Sequence, residues 1–360
     1  MKKVITILAL ALTTSVAFAQ DTPLEISGSG DLYYKYDFSE ASQLGTSFAT
    51  DQNSVSLGMI DIALKKKTGK TSFVGEVSFG PRGQYQSIPK GDNNPSDLSN
   101  SFHIQNLYAA YAATDKLTLT AGYMGTFIGY EVISPLANLN YSTSYLFTNG
   151  PFQNAGVKAN YAISSKVGLM VGLFNDQWNL YNATPSFGLN AIGAQLSLTP
   201  VEGLTAYINY LDGSASGTIV DLTAAYQISE KFKLGLNVAD FSGTVTDTGY
   251  TGFAIYPSYA VSSNFSLGLR AENFKVKKAG STVYDLTTIP LPTQLLYSNV
   301  PNDESVTAFT LSANLKSGGL TFIPEFRMDS GSKNMFKKSG STVIDTKSAS
   351  QVSLAVVYGF

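Results

Sequence analysis

The chain has no cysteine, one tryptophan and one histidine among its 360 residues. Without cysteine there is neither a disulfide framework nor thiol chemistry, so a chain of this size must be held by its own hydrogen bonding and packing. Charge is also sparse, at 14% of residues. Beyond residue 20 no uninterrupted apolar run approaches the ~18 residues of a membrane-spanning helix, which excludes helical insertion of the exported chain. What is abundant is tyrosine and phenylalanine, 21 each, and glycine, 32. That balance suits many β-strands rather than a helical domain.

The N-terminus reads as a secretory signal peptide: Met1-Lys2-Lys3, an apolar run from Val4 to Leu12 broken by Thr6, then Ala17-Phe18-Ala19. Cleavage after Ala19 is expected, leaving residues 20–360 as one domain. Removal of Lys2 and Lys3 leaves 22 basic against 26 acidic residues, a formal charge of −4. This mild acidity argues against a nucleic-acid partner.

Hydrophobic alternation with period two dominates. In the last segment Val352, Leu354, Val356, Tyr358 and Phe360 share one phase. In the first, Leu24, Ile26, Leu32, Tyr34, Tyr36 and Phe38 oppose Glu25, Ser27, Ser29, Asp31, Lys35 and Asp37. Residues 53–65 change phase, with Val55, Leu57 and Met59 against Ile60, Ile62 and Leu64, and need a bulge. Tyrosines recur just before short polar turns, at Tyr111, Tyr161, Tyr226 and Tyr259. Seven such turns fall at 66–70, 114–116, 164–166, 199–203, 229–231, 262–264 and 316–319. Eight longer polar connections lie between them, at 39–52, 81–100, 127–152, 175–187, 212–217, 242–250, 278–304 and 330–346. These divide the chain into sixteen strands.

Strict alternation of short and long connections predicts an all-β fold, a transmembrane antiparallel barrel with short periplasmic turns and long outer loops. The turn-proximal tyrosines, with Phe232 and Phe265, would form an aromatic girdle at the lipid headgroups. The competing architecture is a soluble β-sandwich, whose Greek-key connections would mix the two length classes. Two similar segments, KKAGSTVYD from Lys277 and KKSGSTVID from Lys337, are expected to be hairpin tips turning at Gly-Ser.

A sixteen-strand barrel is wide enough for an aqueous channel. The inward phases then nominate eight pore-lining groups: Glu76, Asp221, Glu272 and Glu325 balanced by Lys158, Lys233, Arg270 and Arg327. Mixed charge predicts weak ion preference, although each of these groups could equally be half of a cross-strand ion pair that stiffens the wall.

The segment Gly122 to Ala162 carries Thr126-Phe127-Ile128-Gly129-Tyr130-Glu131, then Asn140-Tyr141-Ser142 with Ser144 to Phe147, then Gly150-Pro151-Phe152. In this order the elements resemble the outer-membrane β-barrel porin family described as OmpL-like. The resemblance implies a general or weakly selective porin of the outer membrane, admitting small hydrophilic solutes. The third long loop, rich in aromatics, either folds into the lumen with Tyr130 and Glu131 near a constriction or contributes its rings to the outer girdle. Tyr358 and Phe360 resemble the terminal signal by which the outer-membrane assembly machinery takes up such barrels. A homotrimer is compatible with this architecture.

Other functional classes leave weaker traces. A membrane-embedded hydrolase would need His103, with Asp97 and Ser99 nearby, but no G-x-S-x-G elbow or H-E-x-x-H helix accompanies it. An adhesion role would reside in the outer loops. A channel for hydrophobic solutes would carry an N-terminal plug, for which Gln20 to Pro23 is too short. Gly28-Ser29-Gly30 is no phosphate loop. Only scattered carboxylates, Asp92, Asp97, Asp303 and Glu304, could hold calcium weakly. No catalytic residue, cofactor or metal site is expected.

Overall fold

A computed structural model describes residues 21–80, 102–183, 185–244, 248–278 and 300–360. The expected signal peptide, Asp92, Asp97, Ser99 and all but the first two residues of KKAGSTVYD lie outside them. Sixteen strands follow one another in the chain. The first eight are β1 (Glu25–Asp37), β2 (Ser54–Thr68), β3 (Thr71–Phe79), β4 (Phe102–Ala112), β5 (Leu117–Gly125), β6 (Gln153–Ala162), β7 (Val167–Asn175) and β8 (Leu189–Leu198). The rest are β9 (Leu204–Gly213), β10 (Gly217–Gln227), β11 (Phe232–Ser242), β12 (Gly249–Ser262), β13 (Phe265–Val276), β14 (Ser305–Ser317), β15 (Leu320–Gly331) and β16 (Ser348–Gly359). Among the described residues one short helix, α1 (Tyr145–Asn149), lies between β5 and β6.

Each strand pairs antiparallel with its neighbours in sequence, and β1 pairs with β16, so the sheet is a closed barrel. The seam runs from Ser29↔Gly359 to Asp37↔Gln351, extended by reciprocal 3.1 Å bonds between the backbones of Gly28 and Phe360. Closure is what hydrocarbon demands, because each unpaired backbone group there costs several kcal/mol and an open edge exposes a row of them. The sandwich alternative ends with this topology.

Alternation sorts the side chains as expected. On β1, Leu32 and Tyr34 face outward, as does Phe38 just after it, whereas Ser29, Asp31, Tyr33, Lys35 and Asp37 are buried inside. The phase change on β2 is a bulge: Gly30 pairs with Ile60 but Leu32 with Leu57, so Gly58 and Met59 together oppose Asp31. The Asp31 carboxylate accepts the Met59 N–H at 2.9 Å. A Cβ at position 58 would fall 1.9 Å from Asp31 Oδ2, so this carboxylate needs glycine opposite it.

All seven short turns are present, although strands extend into three of them: Lys66 to Thr68 belong to β2, Ser262 to β12, and Lys316 and Ser317 to β14. Tyr111, Tyr161, Tyr226, Tyr259 and Tyr358 are exposed on the outer surface at the short-turn end. The length rule fails at one place. The β9–β10 connection is only 214–216, as tight as the turns on the opposite rim. Asp176, from the neighbouring loop, holds it down by accepting the Ala215 and Ser216 N–H groups and the Ser214 hydroxyl at 2.8–2.9 Å. The second repeated segment is a hairpin tip: Phe336 bridges Thr346, and Gly340 takes φ +71°.

Candidate functional site

The barrel interior is crossed by the connection between β5 and β6. From Asn140 to Asn149 every residue is buried, whereas Val132 and Leu136 are exposed, and hydrogen bonds and close contacts tie the connection to most of the wall from β8 round to β1. Phe127 O accepts the Gln195 side chain of β8 at 3.3 Å, and the Gly129 N–H donates to Asp221 of β10 at 3.1 Å. The Tyr130 ring stacks on Tyr256 of β12 with centroids 4.4 Å apart. Its hydroxyl comes so close to β11 that a Cβ at Gly235 would sit 2.3 Å away. Leu139 likewise fills the space above Gly268 of β13, where a Cβ would meet its Cγ at 2.2 Å. Further along, Leu139 O accepts Asn314 of β14 at 3.0 Å, and the Tyr141 hydroxyl donates to Asp31 of β1 at 2.5 Å.

Four of the charged residues nominated from the sequence form the main anchor. Glu272 accepts the N–H groups of Tyr145 at 2.9 Å and Leu146 at 2.8 Å, the first two residues of α1. These donors lack partners within the helix, and a carboxylate there is favoured by both charge and geometry. Ser144 completes the cap by accepting the Phe147 N–H at 2.9 Å. Glu325 accepts the backbone N–H groups of Tyr141 at 2.8 Å and Ser142 at 3.2 Å. Arg270 donates to Ser142 O at 2.6 Å and pairs with Glu131 at 2.7 Å, the latter within a charge pair almost wholly removed from solvent. Glu131 in turn receives the Ser144 N–H and hydroxyl, each at 2.7 Å. Arg327 donates to Thr143 O at 3.1 Å, forms a two-point pair with Asp329 and lies 5.1 Å from the centre of the Tyr145 ring.

Arg270, Glu272, Glu325 and Arg327 are therefore buried under the loop instead of bordering open water, which corrects the simple picture of a charged lining. Their charges are neutralised by backbone dipoles and by one another, as burial requires. The girdle alternative for this loop also falls, because Tyr141, Tyr145, Phe147 and Phe152 are buried inside. Tyr130 is partly buried, and burial pushes its phenol up to about 12, so it stays neutral.

The remaining nominated groups stand differently. Asp221 is buried, bonded by Asn209 at 2.6 Å and Asn237 at 2.5 Å as well as by the loop. Glu76 is half-exposed on the far wall and accepts Asn106 at 2.6 Å. Lys158 and Lys233 face inward, half-exposed, and make no ion pair among the described residues. Asp303 and Glu304 pair with Lys275 and Lys333 respectively. Among the described residues no cluster of three His, Asp or Glu side chains could hold a metal ion. His103 is buried opposite Ser78 in the sheet register, and among the described residues neither of its ring nitrogens meets a partner.

Asp31, Asp329, Tyr141 and Tyr145 are anchors that sequence reasoning did not single out. Asp31 and Asp329 stand in the inward phases of their strands, and that signal was available.

The family model described as "Putative beta-barrel porin-2, OmpL-like" matches residues 23–360. Comparison with curated protein sequences gives no match. Among solved structures the chain is similar to an anion-selective porin from Comamonas acidovorans, with 12% identity over 95% of this chain and 100% of that one and a TM-score of 0.59. It is also similar to OmpT, an outer-membrane protein of Vibrio cholerae, with 10% identity over 94% and 97% and a TM-score of 0.53. A third similar structure is a Rh. blastica porin variant, with 14% identity over 94% and 100% and a TM-score of 0.54. At these identities the likeness concerns the fold alone. The family match spans nearly the whole chain and agrees with the closed antiparallel barrel: this chain belongs to the OmpL-like β-barrel porins.

Proposed function

We propose that the protein is a porin of the outer membrane that lets small hydrophilic solutes and ions diffuse passively, with no catalytic step. The observation that carries this reading is the hydrogen-bonded third loop inside a closed barrel whose outer face is apolar and whose inner face joins buried polar and charged anchors to an apolar cluster that includes Phe174, Leu211, Ile219 and Phe274. A loop pinned at this many points narrows the lumen without sealing it by hydrophobic packing alone. The half-exposed Glu76, Asn106, Tyr108, Lys158 and Asn160 on β3, β4 and β6 then border the water-filled path. Tyr130 and Glu131 stand at its narrow part. Passage belongs to this path, because a sixteen-strand wall encloses more area than its own side chains fill.

Export by residues 1–19, cleavage after Ala19, uptake of the barrel through Tyr358 and Phe360 by the assembly machinery, and trimer formation belong to the same proposal. Among the described residues neither ring nitrogen of His103 meets a hydroxyl, and its nominated partners Asp97 and Ser99 lie outside them. The test is swelling of liposomes holding the purified protein in sugars of increasing size. Uptake that declines steeply with sugar size supports a narrowed diffusion channel. Liposomes no more permeable than protein-free ones contradict it.

A further inference from the structure

Beneath the loop, on the short-turn side, lies a cavity of about 220 Å³. Its walls include Lys233 of β11 and Lys316 of β14, with Asn138 and Asn314 among the neutral polar groups. Lys233 follows the 228–231 turn directly and Lys316 precedes the Gly318-Gly319 turn, so the cavity lies at the short-turn mouth of the barrel. Neither ammonium group has an ion-pair partner among the described residues. The one carboxylate on the cavity wall is Glu131, and both its oxygens are already occupied, one by Arg270 and the other by Ser144. Two cations, Lys233 part-buried and Lys316 exposed at the rim, thus border a cavity whose wall mixes polar and apolar groups and offers them no free carboxylate.

We propose that this cavity is a subsite for small anionic solutes bearing a carboxylate or phosphate group, with Lys233 and Lys316 setting its preference. The inference rests on the channel reading above and adds a solute class to it. The two lysines are three strand positions apart, roughly 14 Å along the wall at about 4.8 Å per strand. They therefore act from two sides of the cavity as mobile point charges rather than as one rigid clamp. Asn138 and Asn314 each offer the remaining N–H of an amide to an anion placed between them, the other being given to Val132 O and Leu139 O respectively. The anchor carboxylates deeper in the wall compete weakly, because each already accepts backbone N–H groups or an arginine.

The experiment is planar-bilayer recording in a potassium chloride gradient, repeated with citrate or inorganic phosphate added on one side. The proteins compared are the wild type, Lys233→Gln with Lys316→Gln, Lys233→Arg with Lys316→Arg, and Lys66→Gln as a control away from the cavity. The expected result is a chloride-over-potassium preference in the wild type that falls about fivefold in the double glutamine variant, the factor for removing one close charge interaction in water. Block by citrate or phosphate is lost with it, while the arginine pair and the control behave as wild type. Unchanged reversal potential and unchanged block in a conducting glutamine variant overturn the subsite and leave the channel intact. A wild-type protein that never conducts removes the channel reading, and the subsite with it. Because both lysines sit at the short-turn mouth and anchor no loop, the glutamine variant is expected to keep the heat-modifiable gel mobility of a folded barrel.

Discussion

At the scale of single residues, the loop is held by buried charges that would each be costly alone. Removing one partner of such a pair costs about 3–5 kcal/mol, because the other charge remains buried without compensation. Arg270→Gln strands Glu131 in this way. It is expected to release the third loop while sparing the barrel wall, and limited proteolysis should then cut between residues 132 and 144 in a barrel that resists cutting when native. Wild-type resistance in the variant would show that the pair does not hold the loop. The socket glycines make a complementary prediction. Gly268→Val drives a branched side chain into Leu139, an overpacking cost of about 1–3 kcal/mol, and should raise the same cleavage less than Arg270→Gln does.

Single elements show what the sequence could reveal and what it could not. Period-two alternation marked which side chains of β10, β11, β13 and β15 turn inward, and the phase change near Met59 marked the bulge. It gives the face of a residue but not its partner. Glu272 and Glu325 were legible as inward carboxylates, whereas their bonds to Tyr145 and Tyr141 depend on a loop that returns from more than 100 residues away. Lys316 was missed because it was assigned to a turn, although β14 extends through Ser317. The β9–β10 connection looked long because its polar residues resemble a loop, and only the Asp176 contacts explain its tightness.

One element carries a pH dependence. The segment before β14 is clasped to the β15–β16 loop by Glu304, which pairs with Lys333 and accepts the Ser332 hydroxyl at 2.6 Å. The Lys333 ammonium, followed by the Ser332 hydroxyl, holds the Glu304 carboxyl below its ordinary range. A depressed carboxylate contributes at neutral pH and loses that contribution as pH falls through its folded value, below about 4.3. Lower protection, meaning amide exchange relative to the intrinsic rate at the same pH, should therefore appear at residues 303–305 and 332–334 at acid pH and not at neutral pH. In Glu304→Gln the difference between the two conditions should vanish. An equal acid response in that variant would place the titration elsewhere.

For the whole molecule, closure of the seam runs as far as Phe360. Phe360 lies against Gly28, where a Cβ would be 2.7 Å from its ring, and its backbone bonds the same glycine. Replacing it by aspartate leaves the backbone pairing possible but places a charge on the lipid-facing rim, at a cost that depends on depth. The expected result is less assembled barrel in the outer membrane, read as the heat-modifiable fraction on gels. Undiminished assembly would remove Phe360 from that role. The account as a whole stands on the third loop lying across the lumen and limiting flow, and single-channel conductance with and without residues 132–148 tests this most directly. A conductance several-fold higher in the deleted protein is predicted, since a sixteen-strand barrel freed of its insert approaches an open aqueous pore. Equal conductance in the two proteins would contradict the account.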